Sequence, residues 1–436
     1  MRVKTVQINW HDKLPIFSVD FDHSWQGGGW RFATGGGDNN VRIWRLRSPR
    51  DPLHETQPVE FLASLNRHAA PVNVVRFSPA SGRLASAGDD GVIIVWRQVE
   101  NPPEALTDHL EDSVDTETWR PMAMLRGSLA DICDLAWSPD GAFLVSASVD
   151  NTARVWDARD ARCVQVLADH SHYVQGVAWD PLNEFIASQS SDRSLRVYRW
   201  LGSRAKGVRA GEQVARLEAS HYSLPSRDDR AHRHRLFHDD NLTSFFRRPS
   251  VSPDGRLLAT AAGVQRQPAD ARNTCFIWAR DRLWTEPVLR LAGHAKPIVA
   301  TRWAPCMFAA DGPGWISDPP HQRMMLAVAS QSAVSLYDTS VSGRAVGLMD
   351  GLHYAAITDL AWTADGSHLV IVSIDGFASV ASLDQPTQAL PLALPLPLPL
   401  HEPVPEAQLV SHSAANPLPD KSQSRKRVAP TLISTL

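Results

Sequence analysis

Residues 1–383 predict an all-β fold of seven repeated antiparallel modules, followed over 384–436 by a disordered tail, and three observations carry this reading. First, "VNVVRFSPASGRLASAGDDGVIIVW" (72–96) and "ICDLAWSPDGAFLVSASVDNTARVW" (132–156) repeat one pattern. Each has an alternating strand, a Ser-Pro turn containing Gly, a second strand ending in Ala-Ser, an Asp turn, and a third strand closing on Trp. Period-two alternation marks half-buried strands, and Pro, Gly and Asp supply the dihedrals of the turns between them. Second, an Asp stands six residues before an aromatic residue at Asp38 and Trp44, Asp90 and Trp96, Asp150 and Trp156, and Asp192 and Tyr198. Third, Pro391, Pro395, Pro397 and Pro399 interrupt the leucine run "LPLALPLPLPL", which has no periodic apolar face and reads as an extended spacer.

Composition narrows the class. A chain of 436 residues with 43% hydrophobic residues and 15 Trp has ample material for a large core, and a net charge of -3 argues against a general polyanion binder. Cys133, Cys163, Cys275 and Cys306 form no CxxC pair, which leaves a disulfide framework or zinc site unsupported and points to a reducing compartment. The opening "MRVKTVQINW" alternates instead of forming the apolar run of a signal peptide, and no 18-residue apolar stretch occurs, so a soluble intracellular protein is expected.

In chain order, "VKTVQIN" (3–9) reads as a strand ahead of the first full unit, whereas the seventh unit stops after its third strand near Leu383. An unclosed ring exposes two sheet edges, so the opening strand should complete the last module. Units one to four end at Trp44, Trp96, Trp156 and Tyr198. Unit five runs from "VSPDGRLLATAAG" to "TCFIWAR", unit six from "IVATRWAPCMF" to "AVSLYDTS", and unit seven is "ITDLAWTADGSHLVIVSIDGFASVASL". Gln331 replaces the turn Asp of unit six, and unit seven keeps Asp375 but carries Ala381 in the Trp position.

This pattern resembles the WD-repeat proteins, with Trp156-Asp157 as the literal dipeptide and Tyr337-Asp338 as a near relative. The resemblance implies a seven-bladed β-propeller with four antiparallel strands per blade. It also implies a structural hydrogen-bond network, for which His68, Ser86, Asp90 and Trp96 take the places in blade two. Gly127 stands near the His position of blade three, whose network should be incomplete. Such a ring requires no metal or cofactor for stability.

Three departures from the repeat are candidates for function, because loops on a rigid scaffold commonly carry binding. Residues 100–117 hold seven acids and no Lys or Arg, which reads as a solvated loop or as a patch for a basic histone surface. Residues 201–240 form a basic, His-rich insertion between blades four and five. "HRHRLFH" lacks the second ligand cluster that zinc needs. The insertion leads into "TSFFRRPSVSPDG", where Phe245 and Phe246 pack beside the first strand of blade five. Arg247 and Arg248 then fall at or near the channel mouth, either solvated or paired with blade carboxylates, or as possible surface contacts, and Pro249 is tolerated because that strand is an edge. The tail ends in Arg425, Lys426, Arg427, Val428, Ala429, Pro430, Thr431, Leu432 and Ile433, bases followed by β-formers, which suit addition of a strand to a partner's sheet edge.

The phrases "MRVKTVQINWHDKLPIFSVDF", "FATGGGDNNVRIW", "RLFHDDNLTSFFRR", "GLHYAAITDLAWTADG" and "DGFASV" together resemble the middle, WD-repeat subunits of chromatin assembly factor 1 over residues 1–383. Pro249 departs from that pattern, and the leucine-proline spacer is no hallmark of it. The terminal "KRVAPTLIST" resembles the short B-domain motif (425–433 here) that binds the anti-silencing-function histone chaperone. On that resemblance the basic pair is Lys426 and Arg427, the aliphatic pair Val428 and Ala429, the proline Pro430, and the apolar anchor Leu432. What the resemblance implies is a nuclear, non-catalytic component that works with a large and a small subunit to place core histones on replicated DNA, without membrane, cofactor or small-molecule substrate.

Other classes are weighed against this one. An enzyme is disfavoured because "GGGW" and "TGGGDNN" sit before or in hairpin turns and lead into no helix, and no nucleophile elbow occurs. A substrate receptor of a ubiquitin ligase would lack both "FHDDNLTSFFRR" and the terminal motif. The replication-independent histone-regulator WD protein is expected to continue into a second globular region after its motif, where this chain ends at Leu436.

Overall fold

The computed structural model describes residues 1–6, 8, 10–99, 115–128, 130–201, 213–217, 219–222, 232–267, 270–282, 287–310, 322–341, 343–383 and 389–390. Two compact units are distinguished, Met1–Pro395 and Leu396–Leu436. The second falls wholly outside the described residues, as do residues 100–114 of the acidic insertion and the terminal motif 425–433.

Seven four-stranded antiparallel sheets form a β-propeller. Their inner strands are Ile16–Phe21, Val72–Phe77, Ile132–Trp137, Val174–Trp179, Ser250–Val251, Ile298–Trp303 and Ile357–Trp362, blades one to seven. The third strands, which carry the repeat aromatic residue, are Val41–Leu46, Ile93–Gln98, Ala153–Asp157 and Leu195–Arg199 in blades one to four. The outer strand of blade seven is Arg2–Val6, paired in unbroken register with Ala378–Ser382 from Arg2 opposite Ser382 to Val6 opposite Ala378. The first and last residues of the ring thus share one sheet, which removes both free edges. This strand is shorter than the 3–9 expected, and Gln7 and Asn9 lie outside the described residues.

The apolar core is distributed around the ring. Seven buried clusters lie at the seven seams between adjacent blades, so each strand's apolar side chains face a neighbouring blade. Both faces of each sheet are covered, which explains why inner strands such as Val72–Phe77 and Val174–Trp179 are buried throughout instead of alternating.

Two bulges repeat. The pairing between first and second strands shifts between the first and third residues of the inner strand in six blades, for example between Ile132 and Asp134. The pairing between third and fourth strands shifts just before the aromatic residue in six blades, at Trp44, Trp96, Trp156, Tyr198, Trp278 and Tyr337. Blade seven, where Ala381 replaces that residue, has no such shift. A bulge re-aims a large side chain, and alanine needs none. The aromatic mass at the seam between blades seven and one comes instead from Trp10, fully buried 4.7 Å from Trp44.

The 201–240 insertion is not purely an insertion. It contains the outer strand of blade four, Gln213–Leu217, and a separate hairpin of Ala219–Tyr222 and His232–Arg235. Its end returns to the core: Leu236 and Phe237 are buried in the seam between blades four and five, with Phe237 edge-on to Phe276 at 5.9 Å.

Candidate functional site

The inner strands place charged residues in the channel that the ring encloses. Asp359, Ser18 and Asp134, each the third residue of its strand, accept the backbone N–H of the fourth residue in the next blade. The pairs are Val19 N to Asp359 Oδ2 at 3.4 Å, Val75 N to Ser18 Oγ at 3.2 Å and Val177 N to Asp134 Oδ2 at 3.2 Å. The equivalent amide of blade six, Thr301, donates to the Arg248 carbonyl at 3.0 Å. The bulges free these amides from the ladder, and the side chains of the adjoining blade satisfy them.

Arg248 acts as a hub. Its guanidinium donates to the carbonyls of Phe17 at 3.0 Å, Thr358 at 2.9 Å and Asn73 at 2.7 Å, and pairs with Asp359 at 2.9 Å and Asp134 at 3.5 Å. Its backbone N–H donates to the Val299 carbonyl at 2.9 Å. Arg247 supplies the missing blade: its backbone N–H reaches the Gln175 carbonyl at 3.1 Å, and its side chain donates to Gln175 Oε1 at 2.7 Å and to the carbonyls of His238 and Asp239. Together the two arginines, at the start of blade five, touch every other blade.

This overturns the expectation of surface contacts. Arg247 and Arg248 are both 0% exposed and Phe246 is 4% exposed, leaving Phe245 of the four at 38%. The cause is the short inner strand of blade five, Ser250–Val251, which leaves the channel end open for the preceding residues to fill. Phe246 lies beneath the Arg248 guanidinium at 4.1 Å and beside Phe17 at 6.2 Å. Over this plug the loop 239–243 runs from blade four, through Arg193 to Asp239 at 2.7 Å, to blade six, through Gln331 to Thr243 at 2.7 Å.

Arg76 and Arg302 complete the network. Arg76 pairs with Asp359 at 2.9 Å and Asp134 at 3.1 Å, and Arg302 with Asp359 at 3.1 Å. Burial works against the Asp359 charge, but the guanidinium groups of Arg248, Arg76 and Arg302 more than reverse it and hold the carboxyl well below the usual range. Burial lowers Arg247 and Arg248 to about 10, which leaves both cationic at neutral pH.

The repeat residues form a second set of sites. In blade two, His68 Nδ1 meets Asp90 at 2.7 Å, His68 Nε2 meets Ser86 Oγ at 2.7 Å, and the Trp96 indole N–H donates to Ser86 Oγ at 2.8 Å. Blade one repeats this with His11, Asp38, Thr34 and Trp44, and blade four has His170, Asp192 and Ser188 with Tyr198 buried beside them. Blade three lacks the His: Trp156 donates to Ser146 at 2.9 Å, Asp150 turns to Thr152 and Arg154, and Gly127 lies against the Trp156 ring. His170 and Ser188 were legible in principle, since His stands 22 residues before the turn Asp in blades two, four and seven. Asp134 and Asp359 were marked by the shared "DLAW" of two otherwise apolar strands.

At the rim, Asp115 and Glu117 are docked instead of solvated. Asp115 accepts the Ser64 N–H at 3.1 Å, and Glu117 pairs with Arg31 at 3.2 Å and accepts the Trp119 indole N–H at 2.8 Å. Two of the seven acids therefore fasten the insertion to blade one and its neighbour.

The family model described as the CAF1B/HIR1 beta-propeller domain matches residues 1–387. A chromatin assembly factor 1 subunit of Gallus gallus is 36% identical over 90% of this chain and 69% of its own length. The protein of the same name from Saccharomyces cerevisiae is 36% identical over 89% of this chain and 87% of its own. Protein HIR1 of Gibberella zeae is 30% identical over 82% of this chain but only 33% of its own length. A closed ring whose channel is plugged by its own arginines, matched over residues 1–387, places the chain in the CAF1B/HIR1 β-propeller family.

Proposed function

We propose that the chain is a non-catalytic component of a chromatin assembly factor, working in the nucleus with that factor's large and small subunits. The observation that supports this reading is that relatives named as chromatin assembly factor 1 subunits align along about nine-tenths of the chain, so the likeness covers the whole ring and not the repeat pattern alone. The plugged channel agrees with a scaffolding role, because the buried ion pairs hold blades together and recognition is left to rims and appendages.

In finer terms, the chain helps deposit newly synthesised core histones on replicated DNA, meeting them through the complex, and links to the anti-silencing-function histone chaperone. Arg425, Lys426 and Arg427 supply attraction, while Val428, Ala429, Pro430 and Leu432 supply an extended apolar strand for the chaperone's sheet edge. Capture of that chaperone by the full chain, compared with a chain carrying Arg427→Ala and Pro430→Ala, tests this. Loss of capture is expected, and undiminished capture overturns the link.

The HIR1 likeness supports a second reading, a histone-regulator scaffold acting outside replication. Copurification separates the two: a large and a second ring-shaped subunit are expected with the first, and their absence favours the second.

A further inference from the structure

The arginine plug fills the channel at one level. Its contacts fall on the second and third residues of the inner strands, at Phe17, Asn73, Thr358 and Ala300. Beyond it, the ends of the inner strands of blades one to four, with Ser250, Val251 and Arg302 of blades five and six, line a cavity of about 250 Å³. Its walls include Phe21, Phe77, Trp137 and Trp179, and its charged lining includes Asp20, Arg76, Asp134 and Arg302.

The charges in and around this cavity are not evenly partnered. Asp359 takes three guanidinium groups and Asp134 takes two. Asp20 accepts the Phe77 backbone N–H at 2.7 Å and, among the described residues, forms no ion pair. It is half-buried, so one side of its carboxylate faces the cavity. Arg76 and Arg302, which also line the cavity, are engaged elsewhere, Arg76 with Asp359 and Asp134 and Arg302 with Asp359. Burial pushes the Asp20 pKa up, by more than the nearby Arg76, His23 and Arg302 and the Phe77 N–H draw it down.

We propose that this cavity is a binding site for a single cationic side chain, an arginine or lysine in an extended basic segment of a partner protein, which pairs with Asp20 between aromatic walls. A volume of about 250 Å³ suits one long side chain and excludes a folded element. A carboxylate below and aromatic rings beside are the two groups that recognise a desolvated cation. The inference is independent of the tail motif and of which complex the ring enters.

Fluorescence anisotropy of blocked, labelled pentapeptides Ala-Ala-X-Ala-Ala on the full chain tests it. With X as arginine or lysine, saturable binding is expected, and with norleucine or glutamate, binding about tenfold or more weaker. Asp20→Asn keeps the acceptor for Phe77 N–H and should weaken the cationic peptides about tenfold without lowering the melting temperature. Preference for the glutamate peptide, absence of saturable binding by both cationic peptides, or indifference to Asp20→Asn at unchanged fold would each overturn the site.

Discussion

The His of the blade-one network, His11, is a neutral group in a closed circuit. With its proton on Nδ1, His11 donates to Asp38 at 2.6 Å and accepts from the Thr34 hydroxyl at 2.8 Å, while the Trp44 indole N–H donates to Thr34 at 2.9 Å. Burial lowers the His11 pKa below 6.5 despite Asp38, and Asp38, though burial opposes its charge, is drawn to about 2 by the His11 hydrogen bond, His11 and Arg42. The signs follow from which state binds the proton. Below pH 6.5 the unfolded chain protonates this His and the folded chain resists, so stability falls as pH drops from 6.5. Asp38 adds stability above pH 3.8 that is lost as pH falls toward 2. Chemical denaturation at about pH 7 and about pH 5.5 should show His11→Gln less stable than the parent by about 1 kcal/mol at the higher value, with a smaller difference at the lower. An equal difference at both values would refute the neutral-imidazole assignment.

At the scale of elements, the blade-closing strand carries the heaviest demand. Arg2–Val6 covers the edge of Ala378–Ser382, and the following Trp10 fills the seam that Ala381 leaves without its aromatic residue. Removing residues 1–6 uncovers a strand edge and opens the seam between blades seven and one. The truncated chain should aggregate, or melt well below the parent, in scanning calorimetry, and an unchanged transition would show that the pairing is dispensable. The closing role was readable because "VKTVQIN" alternates ahead of a repeat array one strand short. Its end at Val6 was not, since alternation continues into Ile8 after the ladder has stopped. The same limit applied to 201–240, where the outer strand Gln213–Leu217 lacks any repeat signature.

For the whole molecule, seven apolar seams are held in register by one ionic centre. Asp359 faces Arg76, Arg248 and Arg302, drawn from blades two, five and six. Replacing it with Asn keeps the shape but leaves two buried guanidinium groups, of Arg76 and Arg248, and the partly buried one of Arg302 without their shared anion, a loss of about 3–5 kcal/mol. Urea denaturation of Asp359→Asn checks this, and a change under about 1 kcal/mol would show that the ring holds its register without the hub.

The sequence alone determined the repeat, the number of blades and the Asp-to-aromatic spacing, because turn chemistry and strand alternation are local and recur at fixed intervals. Only the tertiary structure decided where Arg247 and Arg248 go. Locally, "FFRRP" is a loop of two aromatic residues, two bases and a proline, which suits a surface as well as an interior. Its burial depends on acceptors at Phe17, Asn73, Asp134, Gln175, Thr358 and Asp359, which come together only when the ring has closed. A buried cation is stable only beside partners, and partners from distant blades have no signature in the neighbouring sequence.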